Sequence, residues 1–116
     1  MLSERLKNSI KDYPDFPKSG IIFKDICPII ADPSLFSDLI DKLSSYPFYN
    51  NTDAIIAIDA RGFIFGSCIA KKLKKPLILA RKKNKLPGQL IQGEYGLEYG
   101  KDTLCIQDSS IAPYNN

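Results

Sequence analysis

With 116 residues, 44% of them hydrophobic and 25% charged, the chain has the make-up of one modest globular domain around a single core. No apolar run approaches the roughly 20 residues of a membrane-spanning helix, and the start, MLSERLKNSI, lacks the apolar block of a secretory leader, so a cytoplasmic protein without a membrane partner is expected. The absence of histidine excludes Ser-His hydrolysis and leaves acid–base chemistry to Asp, Glu, Lys or Tyr, while the scattered Cys27, Cys68 and Cys105 form no metal set and are expected as buried thiols.

Leu2, Leu6 and Ile10 recur every fourth residue and predict a short helix over 2–12. Residues 13–20, YPDFPKSG, hold two prolines and a glycine and predict irregular chain. IIF and CPII then read as short extended pieces around Pro28. Asp32 followed by Pro33 is a helix start, a capping carboxylate and then a residue with its φ already set, and Leu35, Phe36, Leu39, Ile40 and Leu43 give that helix one apolar face. Pro47 and the Asn-Asn pair end it.

AIIAI at 54–58 is an unbroken apolar run that predicts a strand buried on both faces. The turn Asp59-Ala60-Arg61-Gly62 leads into a helical segment ending in KKLKK, and LILA at 77–80 predicts a second buried strand, completing a βαβ unit. QLIQGEYGLEYG and TLCI read as hairpin strands. Two wholly apolar parallel strands need more neighbours than the sequence supplies, so the sheet is expected to be unfinished.

The net charge of +3 conceals a local concentration. From Lys71 to Gly93 there is no Asp or Glu, yet Lys71, Lys72, Lys74, Lys75, Arg81, Lys82, Lys83 and Lys85 all fall there. KKLKK closes a helix, where cations complement the dipole and remain solvated. RKKNKLPG follows a strand's carboxyl end, where open α/β sheets bind ligands. The DARGF turn lies at the other strand's end and opens a helix, so its amides and the Arg61 fork suit phosphate oxygens. A phosphate or pyrophosphate between these loops accounts for the missing acids. The glycine-rich flap beyond holds Glu94, Tyr95, Glu98 and Tyr99, and either carboxyl is a candidate general acid.

YPDFPKSGIIFKDICPII at 13–30, IDARGFIFG at 58–66, RKKNKLPG at 81–88 and LEYGKDTLCI at 97–106 together resemble the amino-terminal half of the adenine phosphoribosyltransferase family, in order and spacing, across essentially the whole chain. The resemblance implies a type I phosphoribosyltransferase fold: a Rossmann-like parallel sheet with flanking helices and a hairpin flap, its carboxyl-terminal part missing. Residues 1–30 would be the base hood, and residues 31–116 the start of the α/β core with basic loop and flexible flap. It implies the purine-salvage reaction of adenine with phosphoribosyl pyrophosphate, giving AMP and pyrophosphate, with Mg2+ accompanying the sugar phosphate. Ile22, Phe23 and Lys24 match the segment over the adenine. Arg61 matches a catalytic, pyrophosphate-binding arginine after the first parallel strand, and Arg81, Lys82 and Lys85 match the basic loop that also grips the pyrophosphate, often across a homodimer interface. Glu98 matches the acid that exchanges a proton with adenine N7, and Tyr95 and Tyr99 belong to the flap.

Two departures stand out. Asn84 replaces a glycine common in the basic loop, a harmless change because Asn tolerates the left-handed region. The acid pair followed by Ala-Thr-Gly-Gly-Thr, which in the family holds the ribose 5-phosphate, occurs nowhere in the chain. Half a substrate site, inactive alone, is therefore expected. The alternative is a binding module whose sheet and site are completed by a second chain. Nucleic-acid binding through residues 71–85 is disfavoured because no aromatic interleaves the charges.

Overall fold

Leu2 and Leu6 fall in helix α1 (Leu2–Ser9) in the computed structural model, which describes residues 1–97 and 100–116 and divides into two units, Met1–Ser45 and Tyr46–Asn116. The helix is shorter than the predicted 2–12 because Ile10 is already extended and Lys11 opens a strand. In the first unit, strands β1 (Lys11–Pro14) and β2 (Ile22–Asp25) pair antiparallel, with Tyr13 opposite Phe23. The irregular segment predicted from residue 13 therefore begins two residues late. Pro14 ends the outer strand of a two-stranded ribbon, where a proline without an N–H is tolerated. Residues 27–30 also depart from the extended reading. They form one helical turn, α2 (Cys27–Ile30), because Pro28 falls in the first turn, where a helix needs no N–H from it.

Helix α3 (Pro33–Ser44) starts as its sequence dictates: the Asp32 carboxylate accepts the Leu35 N–H at 3.1 Å, and Leu35 and Ile40 are buried with Ile29 of α2. Arg5 of α1 reaches Asp38 of α3 at 2.6 Å in an exposed ion pair, worth little on its own. Cys105 is buried and Cys68 half-buried, but Cys27 is exposed, so the expectation of three buried thiols fails at the start of α2.

The second unit opens with a 3-10 turn (Pro47–Asn51) and strand β3 (Ile55–Ile58). Helix α4 (Arg61–Leu73) returns the chain to strand β4 (Leu77–Lys82), which pairs parallel with β3 in the register Ile55↔Leu77 to Ile58↔Ala80. Strands β5 (Leu90–Leu97) and β6 (Gly100–Gln107) form the hairpin, and a short turn of helix, α5 (Asp108–Ile111), follows. The sheet runs β3-β4-β6-β5, because β6 joins β4 antiparallel through Arg81↔Cys105 and Lys82↔Leu104. The hairpin thus extends the parallel pair into a mixed sheet.

Helix α4 lies unusually close to the sheet. A Cβ on Gly66 would stand 2.5 Å from the Ala57 Cβ, so only glycine lets the helix axis come this near. Strand β3 is not buried on both faces as its sequence suggested. Ala57 is 3% exposed under the helix, but Ile56 and Ile58 are 45% and 51% exposed on the other face. Ile91 adds to this open apolar surface, whereas Leu77 and Leu79, paired with Ile55 and Ala57, lie on the α4 face and are each 38% exposed.

Two outcomes are expected. Gly66→Ala lowers stability by about 1–3 kcal/mol in a urea titration, the cost of overpacking, and an unchanged or higher midpoint would contradict the close approach. With this much strand apolar surface open, residues 1–116 alone melt or aggregate below about 60 °C, and a reversible transition above that temperature would show the face to be harmless.

Candidate base and anion sites

The first site is built by the β1–β2 ribbon. Period-two alternation sends Phe23 and Asp25 to one face of β2 and Ile22 and Lys24 to the other. Phe16 is brought back to the ribbon by its N–H bond to the Ile21 carbonyl at 3.1 Å, and by a turn in which the Asp15 carboxylate accepts the Gly20 N–H at 2.8 Å. Its ring meets Phe23 edge-on, with centroids 5.1 Å apart. Tyr13, Phe16, Phe23 and Asp25 line an apolar hollow of about 310 Å³. Ile22 and Lys24 do not line it. Lys24 instead pairs with Asp12 at 2.8 Å, on the exposed side. Asp25 accepts the Cys27 N–H at 2.9 Å. That bond, a second one from the Cys27 side chain and the charge of Lys11 hold its carboxyl below the ordinary aspartate range.

The second site lies at the carboxyl ends of β3 and β4. The chain leaves Ile58, passes through Asp59-Ala60, whose peptide bond is cis, and enters α4 at Arg61. Among the described residues no side chain caps α4, so its leading amides and positive dipole end are open. Ile58, Asp59, Ala60, Arg61, Gly62 and Lys82 line a depression of about 440 Å³. Strand β4 runs further than its sequence suggested, so Arg81 and Lys82 are strand residues with alternating directions. Lys82 takes the depression. Arg81 turns towards α4, its guanidinium carbon 5.9 Å from the Phe63 ring centre and its Nε donating to Asp59 Oδ2 at 3.3 Å.

The turn beyond β4 places Asn84 at φ 67°, the left-handed conformation for which asparagine was expected to substitute for glycine. Lys85 is exposed on that turn and outside the depression's lining. Lys71, Lys72 and Lys74 finish α4 at the far end from Arg61, and Lys75 reaches the Thr52 carbonyl at 2.6 Å. Tyr95 bonds Asp102 at 3.3 Å across the hairpin. Glu98 and Tyr99 lie outside the described residues. Among the described residues no group of three or more His, Cys, Asp or Glu could hold a metal ion.

The fold thus brings Arg61 and Lys82 together, whereas Arg81 does not line the depression and meets it only through its bond to Asp59. Sequence reasoning missed Asp59, although an acid next to the DARGF arginine was visible. It also missed Tyr13, Phe16 and Asp25, whose only signal was the strand-turn-strand pattern that sets aromatics across a ladder.

No family model matches the chain. An adenine phosphoribosyltransferase of Prochlorococcus marinus is 52% identical over 116 residues, which are 100% of this chain and 67% of that protein. The crystal structure of the Saccharomyces cerevisiae adenine phosphoribosyltransferase, complexed with an imino-altritol bisphosphate and adenine, superposes with a TM-score of 0.85 at 38% identity, covering 95% of this chain and 65% of that one. The Trypanosoma brucei enzyme in complex with AMP, pyrophosphate and ribose-5-phosphate gives a TM-score of 0.83 at 26% identity, over 95% of this chain and 50% of that one.

The lowered Asp25 carboxyl stabilises the fold above its ordinary pKa, and the contribution disappears as pH falls through the depressed value. Stability should therefore fall less steeply below about pH 4 in Asp25→Asn than in the parent chain. Parallel slopes in acid denaturation would show that the carboxylate does not brace the ribbon.

Proposed function

The chain belongs to the adenine phosphoribosyltransferase family, and we propose that it serves the reaction adenine + phosphoribosyl pyrophosphate → AMP + pyrophosphate, the aromatic hollow taking the base and the depression at the strand ends taking the pyrophosphate. The chain spans about two thirds of the length of the Prochlorococcus relative. The observation that carries the reading is the depression at the strand ends, where an uncapped helix start, Arg61 and Lys82 converge on one anion-sized space.

In this reaction the C1–O bond to pyrophosphate breaks as the bond from adenine N9 to C1 forms, and adenine gives up one proton. The transition state has oxocarbenium character, so charge accumulates on the departing pyrophosphate. Donors already aimed at that group stabilise it without reorganising, which is the main catalytic contribution expected of Arg61, Lys82 and the α4 amides. Arg81 and Lys85 add positive potential from the same rim. The aromatic hollow takes the adenine ring on Phe23, while the backbone of Ile22–Lys24 reads the base edge. Glu98 is the residue we assign to the proton exchange at N7, and Tyr95 and Tyr99 are assigned to the same flap by the family resemblance. Mg2+ enters as the companion of the sugar phosphate, and no set of side chains described here is assigned to it.

A highly charged sugar phosphate does not cross membranes unaided, which favours a cytoplasmic setting. The family resemblance favours a homodimer. The 116 residues supply no acid pair followed by Thr-Gly-Gly, so the ribose 5-phosphate has no anchor among them.

Calorimetry tests the reading. Residues 1–116 bind pyrophosphate, and Arg61→Ala or Lys82→Ala weakens it about tenfold, one charge-assisted contact. Wild-type protein that fails to bind pyrophosphate, or binding lost instead on substitution of Lys71 and Lys72, would overturn the assignment. AMP formation by the same chain is expected to be undetectable. Turnover that depends on Arg61 and Glu98 would mean that a 5-phosphate anchor exists among these residues after all.

A further inference from the structure

Asp59 is a carboxylate in the wall of a depression otherwise suited to an anion. By charge alone it weakens whatever binds there. Its environment shows what else it does. The side chain is 11% exposed, and its Oδ2 receives the Nε of Arg81 at 3.3 Å. Its backbone N–H is tied to the Ala80 carbonyl at 2.9 Å, so the carboxylate is carried on the same ladder that positions Arg81.

Strand alternation sends Arg81 away from Lys82 and towards the helix layer, where Phe63 supports the guanidinium. Left to that geometry, Arg81 would serve packing. The contact with Asp59 ties its Nε to a wall residue of the depression, whose lining does not include Arg81 itself. Because the carboxylate occupies Nε, the Nη1 and Nη2 groups remain, and among the described residues they make no other hydrogen bond or ion pair. A two-donor edge of this kind matches phosphate oxygens.

We propose that Asp59 is a positioning residue of the anion site: it holds Arg81 by Nε and thereby presents the outer edge of the guanidinium to the pyrophosphate bound by the α4 start and Lys82. This rests on the assignment of that depression to pyrophosphate. It makes a negatively charged residue a contributor to anion affinity, through the arginine it orients.

The sign of one substitution separates this from a merely structural ion pair. If the pair is only structural, Asp59→Ala deletes a negative charge and releases Arg81, so pyrophosphate binds more tightly. If Asp59 positions Arg81, Asp59→Ala weakens pyrophosphate binding about tenfold, the loss of one charge-assisted contact, despite the favourable change in charge. Asp59→Asn keeps an oxygen for Nε–H and should bind pyrophosphate no more tightly than wild type and better than Asp59→Ala. Arg81→Gln should show the same loss as Asp59→Ala, and the double variant no further loss, because both remove a single contact. Calorimetry with pyrophosphate, on variants checked by circular dichroism, reads all four. Unchanged or tighter binding by Asp59→Ala overturns the proposal. Should that variant not fold, tighter binding by Asp59→Asn overturns it equally, and equal or weaker binding supports it. Wild-type protein that does not bind pyrophosphate at all removes the site assignment and this inference together, whereas binding that Asp59→Ala improves removes this inference alone.

Discussion

The anion site depends on how closely helix α4 lies on strand β3. Gly66 offers no Cβ where Ala57 already projects, and the helix settles at a distance that any larger residue would prevent. From that approach the rest follows geometrically. The helix begins immediately beyond the strand end, its leading amides open over the carboxyl edge of the sheet, and Arg61 and Lys82 meet across a single depression. A helix held one methyl group further out would tilt its amino terminus away from the strands. The small pair Gly66–Ala57 is therefore a packing feature that sets where the start of α4 stands over the strand ends.

Charge distribution refines what packing begins. Half of the chain's basic residues fall in one acid-free stretch, but the fold divides them between two jobs. Those closing α4 complement its negative dipole end, and those at the end of β4 face the opposite pole of the same helix. A single helix dipole thus separates the lysines at its negative end from the basic residues near its positive end. Asp59 is the exception to the acid-free pattern at the site, and its partner is the one basic residue of β4 that strand alternation would otherwise turn away.

Much of this was legible in the sequence where local chemistry decides local structure. Asp32-Pro33 marked the start of α3, and apolar runs on either side of the 61–73 helix marked β3 and β4. The sites' positive residues were visible because charge runs need no tertiary information. What was hidden depended on partners distant in sequence. Pro14 and Pro28 read as interruptions, yet each falls where its missing N–H costs nothing. The aromatic hollow needs Tyr13 and Phe23 to be opposed across a ladder, a register that no single stretch reveals. Apolarity of β3 did not mean burial on both faces, since Ile56 and Ile58 remain open. The Asp59–Arg81 contact is the same kind of case, visible as two residues but not as a pair.

Amide chemical shifts of the 15N-labelled chain during a pyrophosphate titration measure the central claim directly, since they report where the anion settles. The account predicts the largest changes at residues 60–63 and 82–85, saturating together with one dissociation constant, and little change over residues 71–75. Shifts centred on Lys71–Lys75, or spread evenly over every basic residue and abolished by moderate salt, would show a diffuse cationic surface instead of a built pyrophosphate site.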